Sequence, residues 1–288
     1  MTKGIFERIV IIGYGKITGE VLSFVNSQKE KYGYQMEFIE YEIHPVSITH
    51  KICTNEGIPY SLIPEKAKVT EKLMALTEKT LIISASNNYL FPADIVHKEN
   101  ITVINFHNAL LPKFPGRNAP SWAMFEGETE AGITWHYVTP GVDDGAIIIQ
   151  KKTQILPDMK AYELAGELMK IAFEGFTESF EGVVTGTAEV THQVFPPNRK
   201  IYLSKMVPAE GKFSLTDNPE DIYRLLRSTD YGLNDIFPHM QTEYNGKTIE
   251  ITRYRKITAD KKEEDGKSLY LPLPEGFLLK LKYKEVSI

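Results

Sequence analysis

Short apolar runs that alternate with helical stretches constrain the fold of this chain more than any other feature. The first run, residues 8–12, is β-branched and lacks polar alternation, which is typical of a strand buried on both faces of a parallel sheet. Gly13-Tyr14-Gly15 then turns the chain into a stretch with helical apolar spacing. Further strands are predicted at residues 35–42, 80–85, 101–105, 132–138 and 146–150. Strands separated by helices predict an α/β domain with a parallel core.

The chain changes character after about residue 190. A helix is predicted over residues 158–181 with Asp158 as its cap, and another begins at Asn218-Pro219. Between them lies a stretch with two consecutive prolines, and the last 45 or so residues alternate between polar and apolar. We therefore expect a catalytic domain over residues 1–190, a linker over 191–210 and a smaller, β-rich C-terminal domain over 211–288, for which an OB-like arrangement is one candidate.

The net charge of −5 argues against a broad, non-specific grip on nucleic acid, which needs clustered cations. No segment approaches the roughly 20 apolar residues that a membrane span requires. The first residues carry no apolar run of the kind found in signal peptides. The sequence predicts a cytoplasmic protein without a membrane partner.

Three polar residues near the ends of predicted strands are the candidates for chemistry. Asn105 and His107 are two positions apart on one strand, so their side chains share a face. Ligands of parallel α/β sheets bind at the carboxyl ends of the strands. There an amide can donate to a developing oxyanion, an imidazole can relay a proton, and a carboxylate such as Asp143 can orient that imidazole. Each residue taken alone is more simply explained as structural.

The combination resembles a known family. The motifs are Asn105-x-His107-x-x-Leu110-Leu111-Pro112, Pro115-Gly116, Gly132-Ile133-Thr134 and Val142-Asp143-x-Gly145, in matching order and spacing. They are similar to those of the formyltransferases that use 10-formyltetrahydrofolate. The resemblance implies a Rossmann-like catalytic domain in which Asn105, His107 and Asp143 are catalytic. It implies direct formyl transfer to an amine without a metal.

The same resemblance implies a folate pocket with two walls. Asn88, Tyr89 and Leu90, after the third predicted long strand, match the loop that holds the pterin. Thr139, Gly141 and Val142 match the opposite wall. Backbone contacts leave little trace in a sequence, and Tyr89 could equally be a core aromatic residue.

The glycine-rich turn lies on the family's acceptor side. Gly13, Gly15 and Lys16 could touch a phosphate of the acceptor substrate, because a strand-to-helix turn presents amide N–H groups. His136 is expected in the pocket wall. The turn also resembles a dinucleotide fingerprint, but its third glycine, Gly19, comes one position late for that motif.

The identity of the amine stays open. Residues 42–51 contain a single Lys, where tRNA-directed members carry a basic insertion. We therefore expect a small or carrier-tethered primary amine, on an amino sugar nucleotide or an aminoacyl group, with methionyl-tRNA as the alternative. Leu215 stands where the family's C-terminal module usually has Trp. An NAD(P)-binding oxidoreductase and a non-catalytic folate-binding protein are hypotheses of other classes, and a homodimer is compatible with the sequence.

Overall fold

The structure is a computed structural model that describes residues 4–263 and 268–286. Contacts divide the chain into two compact units. The first contains the chain through Arg117 together with Ala131–Thr153 and Gly166–Tyr202. The second contains Asn118–Glu130, Gln154–Ala165 and the chain from Leu203 onward.

A seven-stranded sheet organises the first part of the chain. Its strands β1 to β5 are mutually parallel where they pair, and β6 runs antiparallel to β5. The prediction of a parallel α/β core is confirmed, although a short strand, β3, was missed. The spatial order is β3 (Tyr60–Leu62), β2 (Gln35–Glu40), β1 (Arg8–Gly13), β4 (Thr80–Ala85), β5 (Ile101–His107), β6 (Glu130–Tyr137) and β7 (Ile147–Gln154).

The central strand β1 is buried on both faces. Ile9, Val10, Ile11 and Ile12 have no exposed surface, as the uninterrupted apolar run predicts. Val10 and Ile12 belong to one core cluster together with residues of β2, β4 and β5. This rigid centre fixes the ends of β4 and β5, where the candidate catalytic residues begin.

Among the described residues, seven α-helices connect or follow the strands. They are α1 (Gly15–Tyr32), α2 (Ile48–Glu56), α3 (Lys66–Met74), α4 (Ala93–Val96), α5 (Ala119–Phe125), α6 (Ala161–Thr185) and α7 (Pro219–Ser228). In the part of the chain that the structure describes, none of these helices is long and apolar enough to cross a bilayer.

Helix α6 begins three residues later than predicted. Asp158 does not cap it, because its carboxylate pairs with Lys256, with 3.2 Å between Oδ2 and Nζ. The cap is provided from inside the first turn, where the Glu163 carboxylate accepts from the Lys160 N–H at 2.8 Å. Such a reciprocal contact satisfies a backbone donor that the helix itself leaves unpaired.

The β-rich C-terminal part is confirmed as a four-stranded antiparallel sheet. Its strands lie in the order β10 (Ser268–Pro272), β11 (Phe277–Glu285), β9 (Lys247–Thr258) and β8 (Gln241–Tyr244). Helix α7 contributes Ile222 and Leu226 to the core cluster of this sheet, and Leu215 packs against the same cluster. Asn218 caps α7 as predicted, since its Oδ1 accepts from the Glu220 N–H at 3.0 Å.

Candidate active site

Three polar residues form a row across neighbouring strands. Ser84 on β4 is opposite Asn105 on β5, which is opposite His136 on β6. Side chains at paired positions of adjacent strands lie on the same face and contact one another. The register of the sheet therefore brings together a hydroxyl, an amide and an imidazole that are far apart in sequence.

Hydrogen bonds fix the orientation of the Asn105 amide. The Ser84 hydroxyl donates to Asn105 Oδ1 at 2.7 Å, and Asn105 Nδ2 lies 3.2 Å from His136 Nε2. His136 Nδ1 lies 2.8 Å from the Tyr137 carbonyl, which can only accept, so Nδ1 carries the proton and Nε2 accepts from Asn105. An amide nitrogen has two hydrogens and His136 takes one of them. The second can be offered to a bound carbonyl.

His107 is buried at the end of β5, with 5% of its surface exposed. Its Nε2 lies 2.9 Å from the Phe114 carbonyl oxygen and must carry a proton to make that contact. In the neutral ring Nδ1 is therefore the basic nitrogen, and it lies 3.6 Å from Asp143 Oδ2. Burial lowers the pKa of His107 below its ordinary value, against the opposing pull of the Asp143 carboxylate. The imidazole is thus neutral and able to accept a proton.

Asp143 joins the two histidines from the loop after β6. Its Oδ1 lies 3.5 Å from His136 Nε2, and its Oδ2 accepts from the Gly116 N–H at 2.7 Å. Burial alone would raise the pKa of Asp143, but the Gly116 N–H and the attraction of His107 and His136 in their protonated forms outweigh it and hold that pKa below the ordinary value. The structure thus brings Asn105, His107, His136 and Asp143 together in one hydrogen-bonded and electrostatic group.

Two side chains that sequence reasoning missed hold the Asp143 loop. Gln193 Nε2 donates to the carbonyls of Asp143 and Gly145, at 3.0 and 2.7 Å. Arg199 Nη2 donates to the carbonyls of Val142 and Asp143. Asp143 has a φ of 47°, in the left-handed region that a non-glycine residue adopts only when its surroundings enforce it. These contacts supply that enforcement.

Asp144 is directed away from the histidines. Its carboxylate accepts from the Thr139 hydroxyl, and a Cβ added at Gly141 would come within 1.8 Å of Asp144 Oδ2. Thr139 and Gly141 therefore shape the loop around Asp144. Val142, beside them, leaves 43% of its surface exposed.

Asn88, Tyr89 and Leu90, expected in the other wall of the folate pocket, differ in their exposure and in their contacts. Tyr89 is a core residue, 2% exposed, and its hydroxyl lies 2.7 Å from the hydroxyl of Thr70. Leu90 is 70% exposed, and the Asn88 side chain donates to Glu42. A ligand on this loop would meet Leu90 and backbone groups, since the Tyr89 ring is committed to the core.

Packing accounts for the glycine-rich turn. A Cβ at Gly13 would lie 1.8 Å from the Ala85 carbonyl oxygen, and one at Gly19 would lie 2.8 Å from Ile52 Cδ1. Gly15 has a φ of +78°, which favours glycine. Lys16 is exposed and lies 3.8 Å from Glu20 across one helical turn. The fold therefore requires glycine at position 13 and favours it at positions 15 and 19 whether or not a nucleotide is present, which weakens the dinucleotide interpretation.

Arg117 and Ser84 are further residues that sequence reasoning missed. The charge of Arg117 acts on both Tyr14 and His107, which places it within electrostatic reach of the candidate site. Ser84 ends a predicted strand, so its alignment with Asn105 could have been inferred from strand register. Gly116 belongs to the Pro115-Gly116 motif, and its φ of 101° and the 2.2 Å between an added Cβ and the Tyr202 carbonyl oxygen account for the glycine, but the partner of its N–H could not be inferred from the sequence.

The arrangement can perform acyl-group chemistry. A fixed amide N–H can stabilise negative charge on a carbonyl oxygen. A neutral, buried imidazole next to an ionised carboxylate can take a proton from an attacking nucleophile, because the resulting imidazolium is paired at once.

Comparisons with known proteins agree with this chemistry. The family model for formyl transferases matches residues 12–179. A methionyl-tRNA formyltransferase of Acetivibrio thermocellus is 26% identical over 192 residues, which are 66% of this chain and 60% of that relative. The trifunctional purine biosynthetic protein adenosine-3 of Drosophila melanogaster is 34% identical over 150 residues, which are 49% of this chain and 11% of that protein.

Solved structures show the same fold over nearly the whole chain. The sugar 3N-formyltransferase WlaRD, crystallised with dTDP and 5-N-formyl-tetrahydrofolate, has a TM-score of 0.70 at 17% identity and covers 97% of this chain and 98% of its own. An N-formyltransferase from Helicobacter canadensis, in complex with folinic acid and dTDP-3-aminofucose, has a TM-score of 0.72 at 17% identity and covers 96% and 99%. With its family model matched over more than half of its length, this chain belongs to the formyl transferase family.

Proposed function

We propose that the enzyme transfers a formyl group from 10-formyltetrahydrofolate to a primary amine, with Asn105, His107 and Asp143 as its catalytic residues. The observation that carries the proposal is a continuous series of contacts: Asn105 contacts His136, His136 contacts Asp143, and Asp143 contacts His107. In the reaction, the amine nitrogen forms a bond to the formyl carbon, the bond from that carbon to the folate nitrogen breaks, and a proton moves from the amine to that folate nitrogen.

Asn105 stabilises the carbonyl oxygen in this scheme. Its amide is held between Ser84 and His136, so the remaining N–H is directed before the substrate arrives. A donor that needs no reorganisation stabilises developing charge more effectively than solvent does. His136 acts through Asn105 and is a positioning residue.

His107 accepts the proton of the attacking amine at Nδ1 and passes it on. Because Nε2 is committed to the Phe114 carbonyl, the proton arrives on the side of Asp143. The imidazolium that forms is paired with a carboxylate already held by the Gly116 N–H. Burial keeps the resting His107 ring neutral, and the Asp143 carboxylate stabilises the imidazolium that forms when the ring takes up the proton.

The two loops expected to hold the folate offer suitable surfaces. Leu90 and Val142 are apolar side chains exposed by 70% and 43%, and a flat pterin ring would cover such groups. Asn87 holds the first loop, since it donates to the Tyr89 carbonyl at 3.0 Å and accepts from the Tyr89 N–H at 2.9 Å. We assign pterin binding to Asn88, Tyr89 and Leu90, with Tyr89 acting through its backbone, and to Thr139, Gly141 and Val142.

An amino sugar linked to a nucleotide is the acceptor that we favour. The sugar N-formyltransferases align with this chain from end to end, whereas the methionyl-tRNA formyltransferase match spans 60% of that relative. Tyr14 is 37% exposed and stacks on His44 with 4.7 Å between ring centroids, an aromatic surface on which a base can stack. We assign acceptor binding to this turn, through Gly13, Gly15 and Lys16, and include His136 in that site as the residue that positions Asn105.

Methionyl-tRNA is the second candidate, because several relatives are named for that activity. Against it, Ile43 and Val46 are 71% and 66% exposed in the segment where a tRNA-gripping surface would need cations. We further propose that residues 1–190 carry the transfer, that 191–210 link the parts, and that 211–288 form an appended domain.

The proposal is tested by mass spectrometry after incubation with 10-formyltetrahydrofolate and each of three acceptors. These are a dTDP-linked amino sugar, an aminoacyl group on a carrier protein, and methionyl-tRNA. We expect the amino sugar to gain one formyl group. Formylation of methionyl-tRNA alone would overturn the acceptor assignment, and no formylation of any amine by protein that binds folinic acid would overturn the transfer itself.

Arg117→Gln tests the acceptor side separately from the folate side. We expect it to raise the KM for the nucleotide sugar roughly tenfold or more, because the charge of Arg117 reaches Tyr14 on the acceptor side and would attract the phosphates of the substrate, with the KM for folate unchanged. Lys51→Gln removes an exposed cation from α2 and serves as the matched control.

A further inference from the structure

The outward face of the C-terminal sheet carries a basic cleft, which we define by Arg253, Arg255, Lys261, Lys280 and Lys282. Within the part of the chain that the structure describes, these residues line a cavity of about 280 Å³ together with one acidic side chain, that of Glu263. All of them belong to the second unit, and none is part of the candidate active site.

Strand pairing sets like charges directly opposite each other. Arg253 on β9 pairs with Lys282 on β11, and Arg255 pairs with Lys280. Leu279 and Leu281 of β11 are fully buried. Lys280 and Lys282 alternate with them along the strand and therefore lie on the opposite face of the sheet. Like charges at opposed positions destabilise a sheet when nothing neutralises them.

The other cations of this sheet have partners. Lys256 pairs with Asp158, and Lys284 with Glu250, at 3.2 and 3.0 Å. In the cleft, Lys280 pairs with Glu263 at 2.6 Å. Four cations of the cleft are left, and among residues 4–263 and 268–286 none of them has an ion-pair partner; these are Arg253, Arg255, Lys261 and Lys282. In a chain with a net charge of −5, this local excess of positive charge is not a consequence of composition.

We propose that the basic cleft binds a small molecule through a diphosphate group. A diphosphate carries about two to three negative charges near neutral pH, which the four cations that lack a partner can neutralise. Guanidinium groups bind phosphate oxygens in a bidentate manner, and the cleft supplies two of them. Its volume lies at the lower end of small-molecule pockets, roughly 300 Å³, which favours a compact ligand over a nucleic acid.

The test uses the whole protein and pyrophosphate as the probe, with binding measured by calorimetry and located by hydrogen exchange of β9 and β11. We expect pyrophosphate to slow exchange in both strands. The Arg253→Gln/Arg255→Gln double variant should bind at least about tenfold more weakly, because two charge-assisted contacts are lost. The Lys247→Gln/Lys284→Gln variant, which removes two paired lysines of the same sheet, should bind as the wild type does.

Stability gives a second, independent measurement. In low salt and without ligand, Arg255→Gln should raise the Tm by about 1–3 °C, because it removes one of the opposed like charges. Pyrophosphate should then raise the Tm of the wild type more than that of the variant.

Three results would overturn the proposal: no protection of β9 and β11 by pyrophosphate, undiminished binding by the double variant, or tighter binding of a short single-stranded oligonucleotide than of any diphosphate. dTDP and pyrophosphate are compared in separate arms to distinguish a nucleotide from the bare anion.

Discussion

Asn105 and His136 face each other across β5 and β6, with 3.2 Å between Nδ2 and Nε2. His136 can accept at Nε2 because its Nδ1 is committed to the Tyr137 carbonyl. The tautomer of one histidine thus sets the orientation of the amide that we assign to the reacting carbonyl. Sheet register, together with one backbone hydrogen bond, preorganises the site.

Replacing Asn105 by Ala should lower kcat by about 10²–10³, because a preorganised donor to the carbonyl oxygen is lost. Ser84→Ala, which removes only the hydroxyl that holds Asn105 Oδ1, should cost far less. Steady-state kinetics on both variants checks this. A kcat for Asn105→Ala above half that of the wild type would remove Asn105 from the mechanism.

Replacing His136 by Phe should lower kcat about tenfold and leave the KM for folate unchanged, since the amide loses one hydrogen bond and its fixed orientation. His136→Gln keeps an acceptor oxygen near the amide and should recover part of the loss. Equal activities of the two variants would show that His136 does not act by accepting from Asn105.

Activity should fall in acid as His107 becomes protonated. Burial places its pKa below the ordinary value of about 6.5, so the acid limb of kcat/KM should have its midpoint below that pH. A pH–rate profile measures it, and His107→Gln should leave only a low residual activity without this limb. A midpoint above 6.5 would contradict a neutral, buried ring.

The same shift makes folding stability depend on pH. The folded-state pKa of His107 is depressed, so the unfolded chain binds the proton more readily. Its contribution to stability is therefore full above the unfolded value of about 6.5 and is lost as pH falls through the folded pKa. The difference in Tm between the wild type and His107→Gln, followed from pH 8 to pH 5 (roughly the range in which histidine titrates), should shrink as pH falls.

Replacing Gln193 by Glu should lower kcat about tenfold without unfolding the protein, because a carboxylate cannot donate to the carbonyls of Asp143 and Gly145. The change Gln28→Glu, at a half-buried position on α1 outside the candidate site, is the matched control. Steady-state kinetics measures kcat, and circular dichroism checks that the variant is folded. Wild-type activity in Gln193→Glu would mean that the Asp143 loop holds its shape without this side chain.

Two glycines of one turn should respond differently to Ala. Gly13→Ala should cost about 3 kcal/mol or more of unfolding free energy, because its Cβ would lie 1.8 Å from the Ala85 carbonyl oxygen. Gly15→Ala meets no atom within 4 Å and should cost about 1–2 kcal/mol, from its φ of +78° alone. Urea unfolding compares them, and similar losses would contradict the packing role of Gly13.

The elements that the sequence predicted best are those with strong periodicity or clear caps. The run at β1 and the Asn218 cap of α7 follow from local chemistry and were confirmed. The start of α6 was wrong, because Asp158 found a partner in Lys256, about 100 residues away in sequence. Contacts of that range are not encoded in any local pattern.

Some residues of the candidate site could likewise be predicted from the sequence, and others could not. Asn105, His107 and Asp143 could be selected from motif spacing, and the structure brings them together. Their support from Gln193 and Arg199 could not be foreseen, because both lie in a stretch without periodicity. The Gly116 N–H and the Phe114 carbonyl are backbone groups, so the residue types at these positions do not indicate which side chains they contact.

The most direct test of the central claim is the single-turnover rate of formyl transfer in Asp143→Asn, measured by rapid quench with calorimetric binding of folinic acid as the control. The amide keeps an acceptor for the Gly116 N–H but removes the charge that pairs with His107. We predict unchanged folate affinity and a transfer rate lower by about 10²–10⁴. Transfer at close to the wild-type rate would contradict the assignment of Asn105, His107 and Asp143 as the catalytic group.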